Sequence, residues 1–157
     1  MSQGPPDQSA THRRLAAELF NHTWSLLDQP DRTPDEDDEM LHAAHASRHH
    51  WSVVGDAGNL SVGEWQIARV YSVLGRPEPA LFHARRALEW CERGGLGAFY
   101  LGCAHEVLAR AAWAAGDREA FADHLAQADA VHDSLTDEEE REVLKMDLDE
   151  LHARAAA

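Results

Sequence analysis

The chain has 157 residues, 44% of them hydrophobic with alanine prominent, and 28 acidic residues against 14 basic ones give a net charge of −14. That length suits one domain with its own core, and the negative field repels phosphate backbones and anionic headgroups, which argues against nucleic-acid and membrane partners. Cys91 and Cys103 are too few and too widely spaced for a disulfide framework or a zinc knuckle, so a reduced cytoplasm is the expected setting.

In chain order, residues 1–8 are polar, contain Gly4-Pro5-Pro6 and lack the apolar core of a signal peptide; they read as a disordered leader to a single domain over 9–157. Leu15, Leu19, Phe20, Trp24 and Leu27 recur at spacings of three and four and predict a first helix over 9–29. Gln29-Pro30-Asp31-Arg32 breaks the pattern. Thr33-Pro34-Asp35-Glu36 then reads as a capping box with proline at the first helical position, opening a second helix over 34–54. Gly55, Gly58 and Asn59 predict a loop, and Ser61-Val62-Gly63-Glu64 a second capping box that opens a helix over 62–74. Gly75 ends it, and Pro77 and Pro79 start a fourth helix over 77–93. The fifth, over 97–115, is apolar nearly all round, which predicts cover on several sides. Gly116-Asp117 turns into a sixth over 118–134. Thr136-Asp137-Glu138-Glu139 caps a seventh over 137–154, whose narrow stripe of Leu144, Leu148 and Leu151 beside a charged face suits a terminal capping helix. Valine, isoleucine and threonine are sparse and nothing alternates at strand period, so the expected class is all-α: about seven helices, antiparallel between neighbours because the loops are short.

Sliding the chain by 41 residues sets 64–88 against 105–129. Arg69 then meets Arg110, Gly75 meets Gly116, Glu78 meets Glu119 and His83 meets His124. Self-similarity at such a period points to stacked helix pairs. With Ile67 in the leucine slot, Ala68 in the small-residue slot, Tyr71 in the tyrosine slot, Gly75 at the turn and Ala80 in the alanine slot, residues 64–92 resemble a tetratricopeptide repeat. The second copy keeps Leu108, Ala109 and Gly116-Asp117 but has Ala112 and Phe121 in place of the tyrosine and alanine. The resemblance covers about 64–132. It departs from the pattern in its longer period, in Glu64 and His105 at the tryptophan slots and in having no closing proline.

The resemblance implies helical hairpins whose first helices line a concave groove. Trp65, Arg69 and Ser72 would line it, with Glu106, Arg110 and Trp113 beside them. Two arginines flanked by tryptophans suit a partner protein or peptide offering an acidic segment or a C-terminal carboxylate. The implied function is a non-enzymatic binding scaffold that needs no cofactor. The structural counter-reading is that Glu106 and Arg110 are an ordinary i,i+4 pair and both tryptophans are core. Dimerisation through the first or seventh helix would cover the apolar ends of so short an array.

Eleven histidines make a second candidate. His42, His45 and His49 share one face of the second helix, with Asp38 and Glu39 about a turn before them and His22 and His105 placed to approach from neighbouring helices. Such a row could hold a divalent transition metal, as in helix-bundle metal proteins and metal-dependent enzymes. There is no HExxH; the other readings are a solvated row or a face titrating near neutral pH. Phosphate-binding, dinucleotide and nucleophile-elbow motifs are lacking, and both cysteines read as inert apolar side chains.

Overall fold

The computed structural model describes residues 7–157. Its seven helices are α1 Gln8–Leu27, α2 Pro34–Val54, α3 Ala57–Val73, α4 Pro77–Gly94, α5 Ala98–Ala114, α6 Arg118–Ser134 and α7 Glu138–Ala156, and the described residues contain no strand. None of these helices is long and apolar enough to cross a membrane. Of the expected leader 1–8, residues 1–6 lie outside the described residues. Asp7 caps α1 by accepting from Ser9 N, and Gln8 already belongs to the helix.

The start of α2 is as expected. Thr33 and Glu36 form a reciprocal capping box, Pro34 opens the helix, and Asp35, Glu36 and Asp37 stand in the first turn, where the helix dipole favours negative charge. The start of α3 is not. It opens five residues before the expected position, on a capping box of Asp56 and Asn59. The Ser61-Val62-Gly63-Glu64 segment lies inside the helix because its polar groups have tertiary partners. Ser61 donates to Ala87 O at 3.0 Å, and Glu64 is bonded by Arg48 and His83. At Gly63 α2 packs close, since a Cβ there would stand 2.8 Å from Arg48 Cδ. At α7 the capping oxygen belongs to Asp137 rather than Thr136 and accepts from Glu140 N.

Consecutive helices pair as antiparallel hairpins. His12 meets His50 at one end of α1–α2 and His22 meets Glu39 towards the other. In α3–α4, Ser61 bonds Ala87 and Glu64 bonds His83; in α5–α6, His105 meets His124 and Trp113 meets Phe121. The turns after α3 and α5 are built alike. Gly75 and Gly116 adopt φ of 68° and 77°, a region open to glycine at little steric cost. The next amides, Arg76 N and Asp117 N, reach back to Tyr71 O at 2.9 Å and Ala112 O at 3.0 Å.

Alanine sets the spacing between hairpins. Ala68, Ala80, Ala84 and Ala111 are buried with Val107 and Leu108 in the middle of the molecule. Leu26, Met40, Ala44, Ile67 and Val70 fill the α1–α2–α3 side. At the other end Ala109, Phe121, Leu125 and Ala128 receive the α7 stripe of Leu144, Leu148 and Leu151. Full burial of three leucines contributes about 1.5–3 kcal/mol each, which is what holds a helix as polar as α7 in place.

Candidate functional site

The odd-numbered helices α1, α3, α5 and α7 lie side by side, and residues 41 apart fall on one row across them. Trp24 and Trp65 face each other with ring centroids 5.4 Å apart. Trp65 Nε1–H donates to Glu106 Oε2 at 3.0 Å. Asp147, the same step further on, comes from α7 and accepts from Arg69 Nη1 at 2.6 Å. The row is therefore Trp24, Trp65, Glu106, Asp147.

One turn along, the two arginines converge on that row. Arg69 lies across the Trp24 and Trp65 rings, its guanidinium carbon 5.0 and 5.9 Å from their centroids, and also approaches Glu106 at 3.9 Å. Arg110, 2% exposed, donates from Nε to Glu106 Oε1 at 2.6 Å and from Nη1 to Glu150 Oε1 at 2.8 Å. Complete burial pushes the Glu106 carboxyl above its ordinary range against the pull of Arg110, and the Asp147 charge adds to the push. Glu150 behaves oppositely. Partial burial pushes its carboxyl up, but the hydrogen bond and charge of Arg110, with Arg69 and Arg154, hold it below the ordinary range. The carboxylates expected from a partner are thus supplied within the chain, by α7.

Two openings flank the network. An apolar cavity of about 340 Å³ is walled by Phe20 and Trp24 of α1, Trp65 of α3, Phe99 and Cys103 of α5, and Val143 of α7, with Asp147 at its edge. The Cys103 thiol is pushed up by burial and is inert as a nucleophile. On the other side is a polar recess of about 210 Å³ lined by Ser72, Val73, Arg110 and Arg154. It adjoins Glu150, whose side chain is 46% exposed and accepts from Arg154 Nη2 at 3.2 Å.

Of the residues expected in the groove, Trp65, Arg69, Glu106 and Arg110 come together, and Ser72 lines the recess. Its hydroxyl donates to Ala68 O at 2.8 Å. Trp113 does not join them. It packs on Phe121 of α6 with ring centroids 4.9 Å apart and carries the Arg118 guanidinium 3.5 Å over its ring. Trp24, Phe99, Asp147, Glu150 and Arg154 were not singled out by the sequence, although carrying the 41-residue step back from Trp65 and on from Glu106 lands on Trp24 and Asp147.

The helix-two histidines diverge. His45 turns inward, its Nε2 3.0 Å from the Tyr71 hydroxyl and its ring 5.3 Å from His83. Burial and the His83 charge hold its pKa below the ordinary value. His42 and His49 are exposed, and His49 meets His50 edge-on. His22 pairs with Glu39, and His105 faces α6. Among the described residues no three His, Cys, Asp or Glu side chains converge as a metal-ligand set. Beneath His45 lies a buried polar cluster in which Glu64 accepts from Arg48 Nε at 3.0 Å and meets His83 Nδ1 at 2.6 Å. Burial pushes Glu64 up, and these two partners outweigh it, leaving the carboxyl below its usual range.

No family model, curated protein or solved structure matches the chain.

Proposed function

We propose that this chain is a non-enzymatic, tetratricopeptide-like scaffold domain of the cytoplasm that holds a peptide segment of a partner protein in the groove between its odd-numbered helices. The observation that carries the reading is an apolar cavity walled by Phe20, Trp24, Trp65 and Phe99 on one side of the arginine pair, with a polar recess at Ser72, Arg110 and Arg154 on the other. A large apolar side chain of the peptide fills the cavity, where flat aromatic walls supply contact area at low entropic cost. A carboxylate, from an acidic residue or the peptide's C-terminus, enters the recess and takes the place of the half-exposed Glu150.

Removing Arg110 would be a poor test, because it strands the buried Glu106. Arg154 is more exposed and serves better. A displayed library of peptides with free C-termini, randomised over the last positions, should enrich a large apolar or aromatic residue near a terminal carboxylate. Amidation of the selected peptide and Arg154→Ala should each weaken binding about tenfold, or 1.4 kcal/mol. Selected peptides whose affinity ignores both changes would show that the recess is not a carboxylate site.

A further inference from the structure

The helix α7 stands where the first helix of a further hairpin would stand, but among the described residues nothing occupies the place of that hairpin's second helix. The 41-residue register makes this specific. On α3, Ser61, Glu64 and Ala68 are covered by α4: Ser61 bonds Ala87 O, Glu64 meets His83, and Ala68 packs with Ala80 and Ala84. On α5 the same positions are Gly102, His105 and Ala109, covered by α6. A Cβ on Gly102 would stand 2.9 Å from Val131 of α6 and 2.7 Å from Leu144 of α7, His105 stacks on His124, and Ala109 packs with Phe121 and Leu125. On α7 the positions are Val143, Met146 and Glu150. Val143 is 49% and Met146 74% exposed, two of the few large apolar side chains the molecule leaves open.

The surroundings say what would cover them. Glu139, Glu142 and Asp149 are exposed around this pair, and Lys145 is held against Asp149; Glu150, also exposed, is already engaged by Arg110 and Arg154. Acidic rims around a short apolar stripe complement a helix with lysine or arginine flanking its own apolar face. A second copy fits less well, since α7 is acidic itself and each chain carries a net charge of −14. The helices that fill the equivalent places offer small or apolar residues at i, i+4 and i+7, namely Ala80, Ala84 and Ala87 on α4 and Phe121, Leu125 and Ala128 on α6.

We propose that the face of α7 bearing Val143 and Met146 docks a basic amphipathic helix of a partner protein, which completes the hairpin as α4 does on α3 and α6 does on α5. Met146 sits one residue, about 100° of helix, from the groove position at Asp147. Val143 also walls the groove cavity and Glu150 adjoins the recess, so Met146, which lines neither, is the residue that tests this surface apart from the groove.

The test uses the full chain and a synthetic helical peptide of about 18 residues, five turns, with alanine and leucine at i, i+4 and i+7 and lysine elsewhere. A twin peptide carries glutamate in place of lysine. At about 0.15 M salt the lysine peptide should bind, the glutamate twin should not, and protection from hydrogen exchange should rise along 139–153. Met146→Glu should weaken binding at least tenfold. Met146→Leu should preserve it, and Phe82→Glu, which changes an exposed apolar side chain on α4, should leave it unchanged. Protection scattered over other acidic surfaces, or a Met146→Glu variant that binds within twofold of the parent, overturns the proposal. A dimer in sedimentation equilibrium that Met146→Glu dissociates also overturns it, because the occupant is then a second copy.

Discussion

Hairpins α3–α4 and α5–α6 follow one plan, and their differences show how burial changes the role of the same residue. Arg69 and Arg110 occupy matched positions and share acidic partners. Arg69 lies along the groove over two tryptophan rings and is tied chiefly to Asp147, whereas Arg110 is sealed against Glu106 at the row's centre. An arginine in the first setting can exchange partners. One in the second cannot leave without stranding a buried carboxylate. The sharpest break of the comparison is therefore a pair of variants. Arg110→Ala should cost about 3–5 kcal/mol of stability, the usual cost of removing one partner from a buried ion pair. Arg69→Ala should cost about 1.5–3 kcal/mol, the worth of a hydrogen bond to a charged group, because Glu106 keeps Arg110. Urea unfolding with coincident circular dichroism and tryptophan fluorescence measures both. Equal losses would mean that the two arginines are not separated by burial at all.

The turns offer the opposite expectation, equality. Gly75 and Gly116 have matching positive φ and matching amide bonds behind them, and added Cβ atoms would meet nothing within 4 Å. Gly75→Ala and Gly116→Ala should each cost about 1–2 kcal/mol from backbone conformation alone. Thermal midpoints should fall together, and a neutral change at either one would show that its turn relaxes while the other does not.

These pairs also show how far the sequence could be read. Helix-capping chemistry is local, so Thr33-Pro34-Asp35-Glu36 and the Gly116-Asp117 turn placed α2 and α6 at their observed bounds. Ser61 and Glu64 carry the same local signature and fail, because residues on α2 and α4 bind those two side chains, and no sequence window contains that contact. The arginine match was legible because residues 41 apart in sequence fall on neighbouring odd-numbered helices. Trp113 lies on the same helix as Arg110 but faces α6, a matter of helix rotation that spacing alone leaves open once a helix is apolar on nearly every side. The carboxylates of α7 were hidden for another reason: among so many acidic residues, Asp147 and Glu150 look like surface charge until the fold brings them to the arginines.

The smallest effects concern the pairs at 64/83 and 105/124, where one register position holds a carboxylate and imidazole and the other holds two imidazoles. Burial, then the charge of His124, lowers the His105 pKa, and burial lowers that of His124 despite Asp123. Between these lowered values and the ordinary 6.5, the unfolded chain binds more protons than the folded one. Stability due to this pair is therefore complete above about pH 6.5 and is lost as pH falls through that window, as it is for His45 and His50, which are also lowered. Glu64 is a carboxyl held below its ordinary 4.5, so its contribution persists to lower pH and is lost only as the solution is acidified past that value. The two equivalent sites should thus fail in sequence on acidification, the imidazole pair first. His105→Gln should flatten the stability–pH curve just below about pH 6.5 and leave the loss below 4.5 in place, and Glu64→Gln should do the reverse. Each proton released contributes at most about 1.4 kcal/mol per pH unit, so the measurement needs denaturation midpoints at closely spaced pH values. A curve that His105→Gln leaves unchanged would mean that the stacked rings already share a proton in the folded state, so that burial does not keep that pair neutral.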